Sequence, residues 1–198
     1  MKMYMESIII GILVGILTVV GQKYLPMNFN FLANSGAVWL VPAFLLAFLS
    51  REKKGQSILL CMETLFFCVI GYYAFEAVLN HHNVSINSWM LVWVAMSVIA
   101  GVIFGLGAYF ANAPSGFLKY IGMNLLTAVF FSEGVEKLLH IADYQHMIPA
   151  LIIVTCIGLI LYLVINRKEW CKLRNLLSFL LLSALGVAGY SVLSGMMF

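Results

Sequence analysis

Two glutamates, a lysine and a histidine fall within one short run, "SEGVEKLLH", from Ser132 to His140, directly after the mostly apolar stretch 117–131. On a helix turning 100° per residue, Glu133, Glu136, Lys137 and His140 share an arc of about 100°. Lys137 is then placed to pair with Glu133 at i,i+4, and His140 with Glu136. Carboxylates beside an ammonium and an imidazole can exchange a proton, hold a cation or bind a polar solute. The plainer reading is a charged helix end emerging into water. Depth separates the two, because Glu133 would lie roughly 9–10 Å below the helix end at 1.5 Å per residue. An unpaired carboxylate at that depth in hydrocarbon costs at least about 2–3 kcal/mol, so it must pair, protonate or face water inside a bundle.

Other polar groups fall where they could join it. Glu76, with Tyr72, Tyr73 and Asn80 on the same broad face, ends an apolar run at a depth like that of Glu133. If both point inward, two carboxylates sharing a site would raise one of their pKa values, which suits proton coupling; exposure of Glu76 to solvent is the equal alternative. Gln22, Asn34 and Ser35 fall at the same level and could line a common vestibule. Glu63 and Asn124 stand at similar depth near the other ends of their runs, where they read equally as a hydrogen-bonded pair across a helix interface or as a carboxylate on a transport path.

Recognisable catalytic machinery is missing. There is no HExxH, GxSxG or Walker loop, and no cofactor signature. "HHNVS", with His81 and His82, could offer metal ligands, but adjacent loop histidines are more often solvated, and no metal site is expected. The four cysteines make no CxxC pair and read as small hydrophobes or free thiols. A metal-dependent intramembrane enzyme is therefore the weakest functional reading.

The elements that must position these groups follow from composition. Apolar residues make up 63% of the 198, only 10% are charged, and the mean hydropathy is +1.02. A soluble domain carries roughly 45–50% apolar and about 25% charged residues. A bilayer core needs about 20 apolar residues per helix, and seven stretches fit: 5–24, 31–50, 57–79, 88–112, 117–139, 146–165 and 176–197. The first stretch reads as an uncleaved helix, since no small-residue cleavage site follows it. A β-barrel is excluded, because the stretches are continuously apolar and do not alternate. The second must begin near Phe31 to be long enough, which carries Asn34 and Ser35 inward and puts Pro42 mid-span, where a kink is expected. The fold class is thus an all-α polytopic membrane bundle forming a single domain.

Charge orients it. With seven spans, Lys2, Arg51, Lys53, Lys54, Lys119, Arg167, Lys168, Lys172 and Arg174 share one side, leaving Lys23 and Lys137 on the other. The positive-inside rule puts the nine in the cytoplasm, with the N-terminus in and the C-terminus out. The basic loops have no room for a nucleic-acid-binding domain. "NRKEWCKLR", in the last of them, could still meet anionic lipid or a membrane partner. Gly11/Gly15, Gly101/Gly105 and Ala184/Ala188 are small-xxx-small pairs suited to close helix packing. The first two, on oppositely directed spans that each end near a proline, are also compatible with an inverted repeat.

The hairpin "GQKYLPMNFNFLANSGAVWLVPAFLLAF", with its GQ, LP and NSG-x-x-W run, resembles the start of a family of small membrane proteins from Gram-positive bacteria without an assigned activity. That resemblance implies a bacterial cytoplasmic membrane protein and supplies no catalytic residues. In size the chain also resembles the substrate-binding subunits of energy-coupling-factor vitamin transporters, whose usual six helices sit badly with a seventh span. Two functions are expected in order: binding or transport of a small solute or ion through an outward-facing vestibule, then an accessory role docking a partner through the basic loops.

Overall fold

The computed structural model describes residues 2–81, 83 and 86–197, and among these every regular element is helical. Eight α-helices follow in order: α1 (Lys2–Tyr24), α2 (Asn30–Ala33), α3 (Gly36–Ser50), α4 (Lys54–Leu79), α5 (Ser88–Ala111), α6 (Phe117–Leu139), α7 (Ile148–Ile165) and α8 (Leu173–Met197). A 3₁₀ turn, Gln145–Met147, leads into α7.

Local chemistry sets the boundaries. Helix α1 ends ahead of Pro26, whose ring disfavours helical geometry in the residue before it. Asn87 caps α5 by accepting the Met90 N–H at 2.8 Å. Gly116, at φ 104°, turns the chain into α6 through a conformation that a side chain would strain. The expected continuous second span is interrupted. Asn34 and Ser35 separate α2 from α3, and Ser35, extended at φ −69° and ψ 124°, caps α3 by accepting the Val38 N–H at 3.3 Å. A serine whose hydroxyl captures a backbone donor favours a new helix start over continuation of the old one.

Two helices organise the bundle. Helix α4 packs on α1, α3 and α5, while α6 packs on α3, α5, α7 and α8. Both glycine pairs seat against α4. A Cβ at Gly11 or Gly15 would strike the carbonyls of Thr64 or Cys68, and one at Gly101 or Gly105 would strike the backbone of Met62 or Ile58. Ala184 and Ala188 do otherwise: they are exposed on the outside of α8. The main apolar core lies between α3, α4, α5, α6 and α7, with Leu40, Phe44, Leu65, Phe104, Phe130 and Leu151 among its members.

Side-chain bonds define two ends. Ser7 near the start of α1 donates to Glu63 of α4, and Asn124 of α6 reaches Asn175 near the start of α8. At the opposite end, Gln22 of α1 accepts from Tyr72 of α4, and Glu136 of α6 from Ser194 of α8. Hence α1 runs parallel to α4, and α6 to α8. Alternation of the long helices brings all nine clustered basic residues to the first end, here called the basic end.

Among the described residues, six helical segments are long and apolar enough to cross a membrane: Lys2–Tyr24, Asn30–Ser50, Lys54–Leu79, Ser88–Ala111, Gln145–Ile165 and Leu173–Gly195. The outer surface of the bundle is correspondingly apolar, with Leu13, Leu17, Ile103, Ile160, Leu163 and Leu181 all exposed. This architecture is compatible with a multi-pass membrane protein. Helix α6 has the length to cross but carries more polar residues, and it places them inward: Asn124, Thr127, Ser132, Glu133 and Glu136 are buried.

Candidate functional site

Polar side chains of α6 form a ladder against α8. At the basic end, Asn124 Nδ2 donates to Asn175 Oδ1 at 2.7 Å and to Ser178 Oγ at 2.6 Å, while its Oδ1 accepts from Asn166 Nδ2 at 2.8 Å. Midway, Ser132 Oγ donates to the Ser183 carbonyl at 2.9 Å. At the far end Ser194 Oγ donates to Glu136 Oε1 at 3.2 Å. Inside a bundle of this kind, such bonds meet backbone and side-chain groups that would otherwise be left in an apolar medium.

Glu133 turns from this ladder toward α3. Its Oε2 accepts from Ser35 Oγ at 2.5 Å and from the Ala37 N–H at 3.2 Å, and its Oε1 from the Gly36 N–H at 3.0 Å. The first turn of α3 exposes backbone donors and the positive end of its dipole, and a carboxylate from another helix fills both needs. Glu133 is 3% exposed and Glu136 1%. The vestibule expected from the sequence is therefore closed over at these two residues, because α3 and α8 pack directly onto them.

Glu136 is less completely satisfied. Its Oε2 has no hydrogen-bond donor among the described residues. Lys137 Nζ stands 3.7 Å from that oxygen and lies over the rings of Tyr144, at 5.0 Å, and Phe31, at 5.5 Å. The expected i,i+4 pairs are replaced. Lys137 turns to the neighbouring Glu136 and to two aromatic faces, while exposed His140 sits in the backbone turn that ends α6 and does not join Glu136. The OH of Tyr190 on α8 lies by Gly36, at 3.4 Å from where a Cβ there would stand.

The remaining candidates sit elsewhere. Glu76 accepts from Asn80 Nδ2 at 2.6 Å and belongs to the α1–α4 side, where Tyr72 OH donates to Gln22 Oε1 at 3.0 Å. Glu76 and Glu133 stand on different helices, α4 and α6, and α3 and α5 each pack on both. Of Gln22, Asn34 and Ser35, only Ser35 touches Glu133; Asn34 is exposed. Trp39 is a link inside the bundle, donating from Nε1 to Thr18 Oγ1 at 2.9 Å and lying 5.6 Å from the Trp93 ring. The Glu63–Asn124 bond does not form either. Glu63 takes the Ser7 hydroxyl, and a separate recess of about 200 Å³ is lined by Lys2, Met3, Tyr4, Glu52, Gln56 and Leu60. His81 is exposed, His82 lies outside the described residues, and no group of three metal-ligating side chains assembles among those described.

Reading α6 alone missed its partners Asn175, Ser178, Tyr190 and Ser194. The available signal was the recurrence of small and polar residues down α8 at intervals near one helical turn. It was masked by the leucines between them.

Fold and site together define an all-helical bundle compatible with a multi-pass membrane protein, with a buried carboxylate pair near the end opposite its basic residues. The chain belongs to DUF6518, a family of unknown function, whose match spans residues 2–196. No curated protein and no solved structure matches it.

Proposed function

We propose that this is a seven-span protein of the bacterial cytoplasmic membrane, with its N-terminus inside and C-terminus outside, that binds or moves a small solute or ion. The charge distribution supports the orientation. Nine basic residues share one end, whereas only Lys23 and Lys137 mark the other, as the positive-inside rule requires of a cytoplasmic face. In this reading α6 is the seventh span, tolerated in the bilayer because α3, α5, α7 and α8 cover its polar face.

The observation that carries the functional reading is Glu136 Oε2: a buried carboxylate oxygen without a hydrogen-bond donor among the described residues, its ion-pair partner Lys137 Nζ standing off at 3.7 Å. An acceptor held this way is costly, about 1–3 kcal/mol, and a proton, cation or donor group of a solute relieves that cost. Glu133 acts beside it as the clasp of α3, so that ligand arrival at Glu136 can bias packing at the α3 start. The test is thermal stabilisation of the purified protein in lipid nanodiscs across monovalent cations, pH and small polar solutes. A ligand that raises the wild-type melting temperature should leave Glu136→Gln unmoved. Equal stabilisation of both proteins would remove Glu136 from the site.

A further inference from the structure

The segment 166–174 at the basic end is built rather than loose. Tyr162 OH donates to the Trp170 carbonyl at 2.6 Å, and Asn175 Nδ2 to the Glu169 carbonyl at 3.1 Å. Backbone turns close it further, Glu169 N–H to the Asn166 carbonyl at 2.7 Å and Lys172 N–H to the Glu169 carbonyl at 3.0 Å. Asn166 and Asn175 are in turn fixed by Asn124 in the bundle interior. The loop thus inherits the rigidity of the α6–α8 ladder, and less ordering remains for a ligand to impose.

Its surface combines two chemistries. Arg167, Lys168 and Arg174 are exposed, and the segment's own carboxylate, Glu169, is already engaged by Lys172 Nζ at 2.8 Å. Lys119, at the start of α6, lies close enough to act electrostatically on the same Glu169. Beside these cations Trp170 is 51% exposed, Leu173 69% and Leu118 50%. Cations alone are explained by topology. A rigid cluster of them next to an outward-facing indole and aliphatic side chains is the surface that suits an anionic headgroup with its acyl chains attached.

We propose that the face formed by 166–174 and the start of α6 is a binding site for an anionic phospholipid. The phosphodiester would sit among Arg167, Lys168, Arg174 and Lys119, with the acyl chains along Trp170 and Leu173. Glu169 is the resident anion that moderates its affinity. This site lies at the end opposite Glu136 and does not depend on the solute reading.

The purified full chain in detergent would be titrated with phosphatidylglycerol, phosphatidylcholine and inorganic phosphate, with retention read by native mass spectrometry. Phosphatidylglycerol should be retained preferentially. The doubly substituted Arg167→Gln/Lys168→Gln protein should lose that preference on the order of twenty-fold, at roughly fivefold per surface charge. Glu169→Gln should strengthen it by about fivefold on the same basis, and Lys23→Gln at the other end should leave it unchanged. Because these side chains are exposed, the variants should unfold at the wild-type temperature. Brominated phosphatidylglycerol should quench more fluorescence in the wild type than in Trp170→Phe. Equal retention of the two lipids, unchanged retention in the double variant, or inorganic phosphate competing as well as the lipid would each overturn the site. Capture of a protein on this loop without lipid preference would do the same.

Discussion

Removing the carboxylate of Glu133 tests the structural core of this account. Substitution by alanine strands the Ser35 hydroxyl and the N–H groups of Gly36 and Ala37, all facing a site only 3% exposed. A hydrogen bond to a charged group is worth about 1.5–3 kcal/mol net, and each donor left dry costs about 1–3 kcal/mol. Part of this returns, since the serine hydroxyl can rotate and water can reach the α3 start once the side chain is gone. Losing one partner of a buried, charge-stabilised contact typically costs about 3–5 kcal/mol, and that is the expected loss for Glu133→Ala. Glu133→Gln keeps one acceptor oxygen but points an amide donor at another donor, so about 1–3 kcal/mol is expected. Ser35→Ala removes both the bond to Glu133 and the cap on the Val38 N–H, and should cost about 1–2 kcal/mol. Because the two groups touch, a double-mutant cycle between Glu133→Gln and Ser35→Ala should show a coupling of at least about 0.5 kcal/mol. Reversible unfolding in mixed micelles, followed by circular dichroism, gives all four values. An alanine variant within about 0.5 kcal/mol of wild type, or additive single and double variants, would refute the cap.

Other consequences are open to measurement. Asn124→Ala should cost about 2 kcal/mol by orphaning Asn166 and Asn175, and should raise the reactivity of exposed Cys171 as its loop loosens. Gly15→Ala should destabilise by about 1–3 kcal/mol because its Cβ collides with α4 backbone, whereas Gly189→Ala, which meets nothing within 4 Å, should be neutral or mildly stabilising; thermal melts compare them. In intact cells a membrane-impermeant maleimide should spare Cys171 and label a cysteine placed at Gly195; the reverse pattern would invert the topology. Lys172, and then Tyr120, hold the Glu169 carboxyl below its ordinary value of 4.5. A depressed carboxylate contributes fully above its unfolded pKa and loses that contribution as pH falls through the folded value. Trp170 fluorescence should therefore titrate below 4.5 in the wild type, and Glu169→Gln should remove that transition.

The chain's own residues determined the class of fold. With so few charges the long apolar runs were legible as helices, and the bundle they form is compatible with a multi-pass membrane protein. Segregation of the basic residues was equally plain, because it needs only the alternation of helix direction. Even the need of Glu133 for partners showed in the sequence, since a carboxylate so far from a helix end must be paired, protonated or hydrated.

Which partners it finds was decided only by tertiary structure. Periodicity places a side chain on a face of its own helix but says nothing about which helix covers that face. For that reason Glu63 was expected to meet Asn124 but meets Ser7, and the covering of Glu133 by the start of α3 could not be read from α6 alone. The break at Ser35 depended on the same information. Splitting a membrane-length helix is unfavourable alone and becomes favourable when a carboxylate from α6 arrives to receive the freed donors.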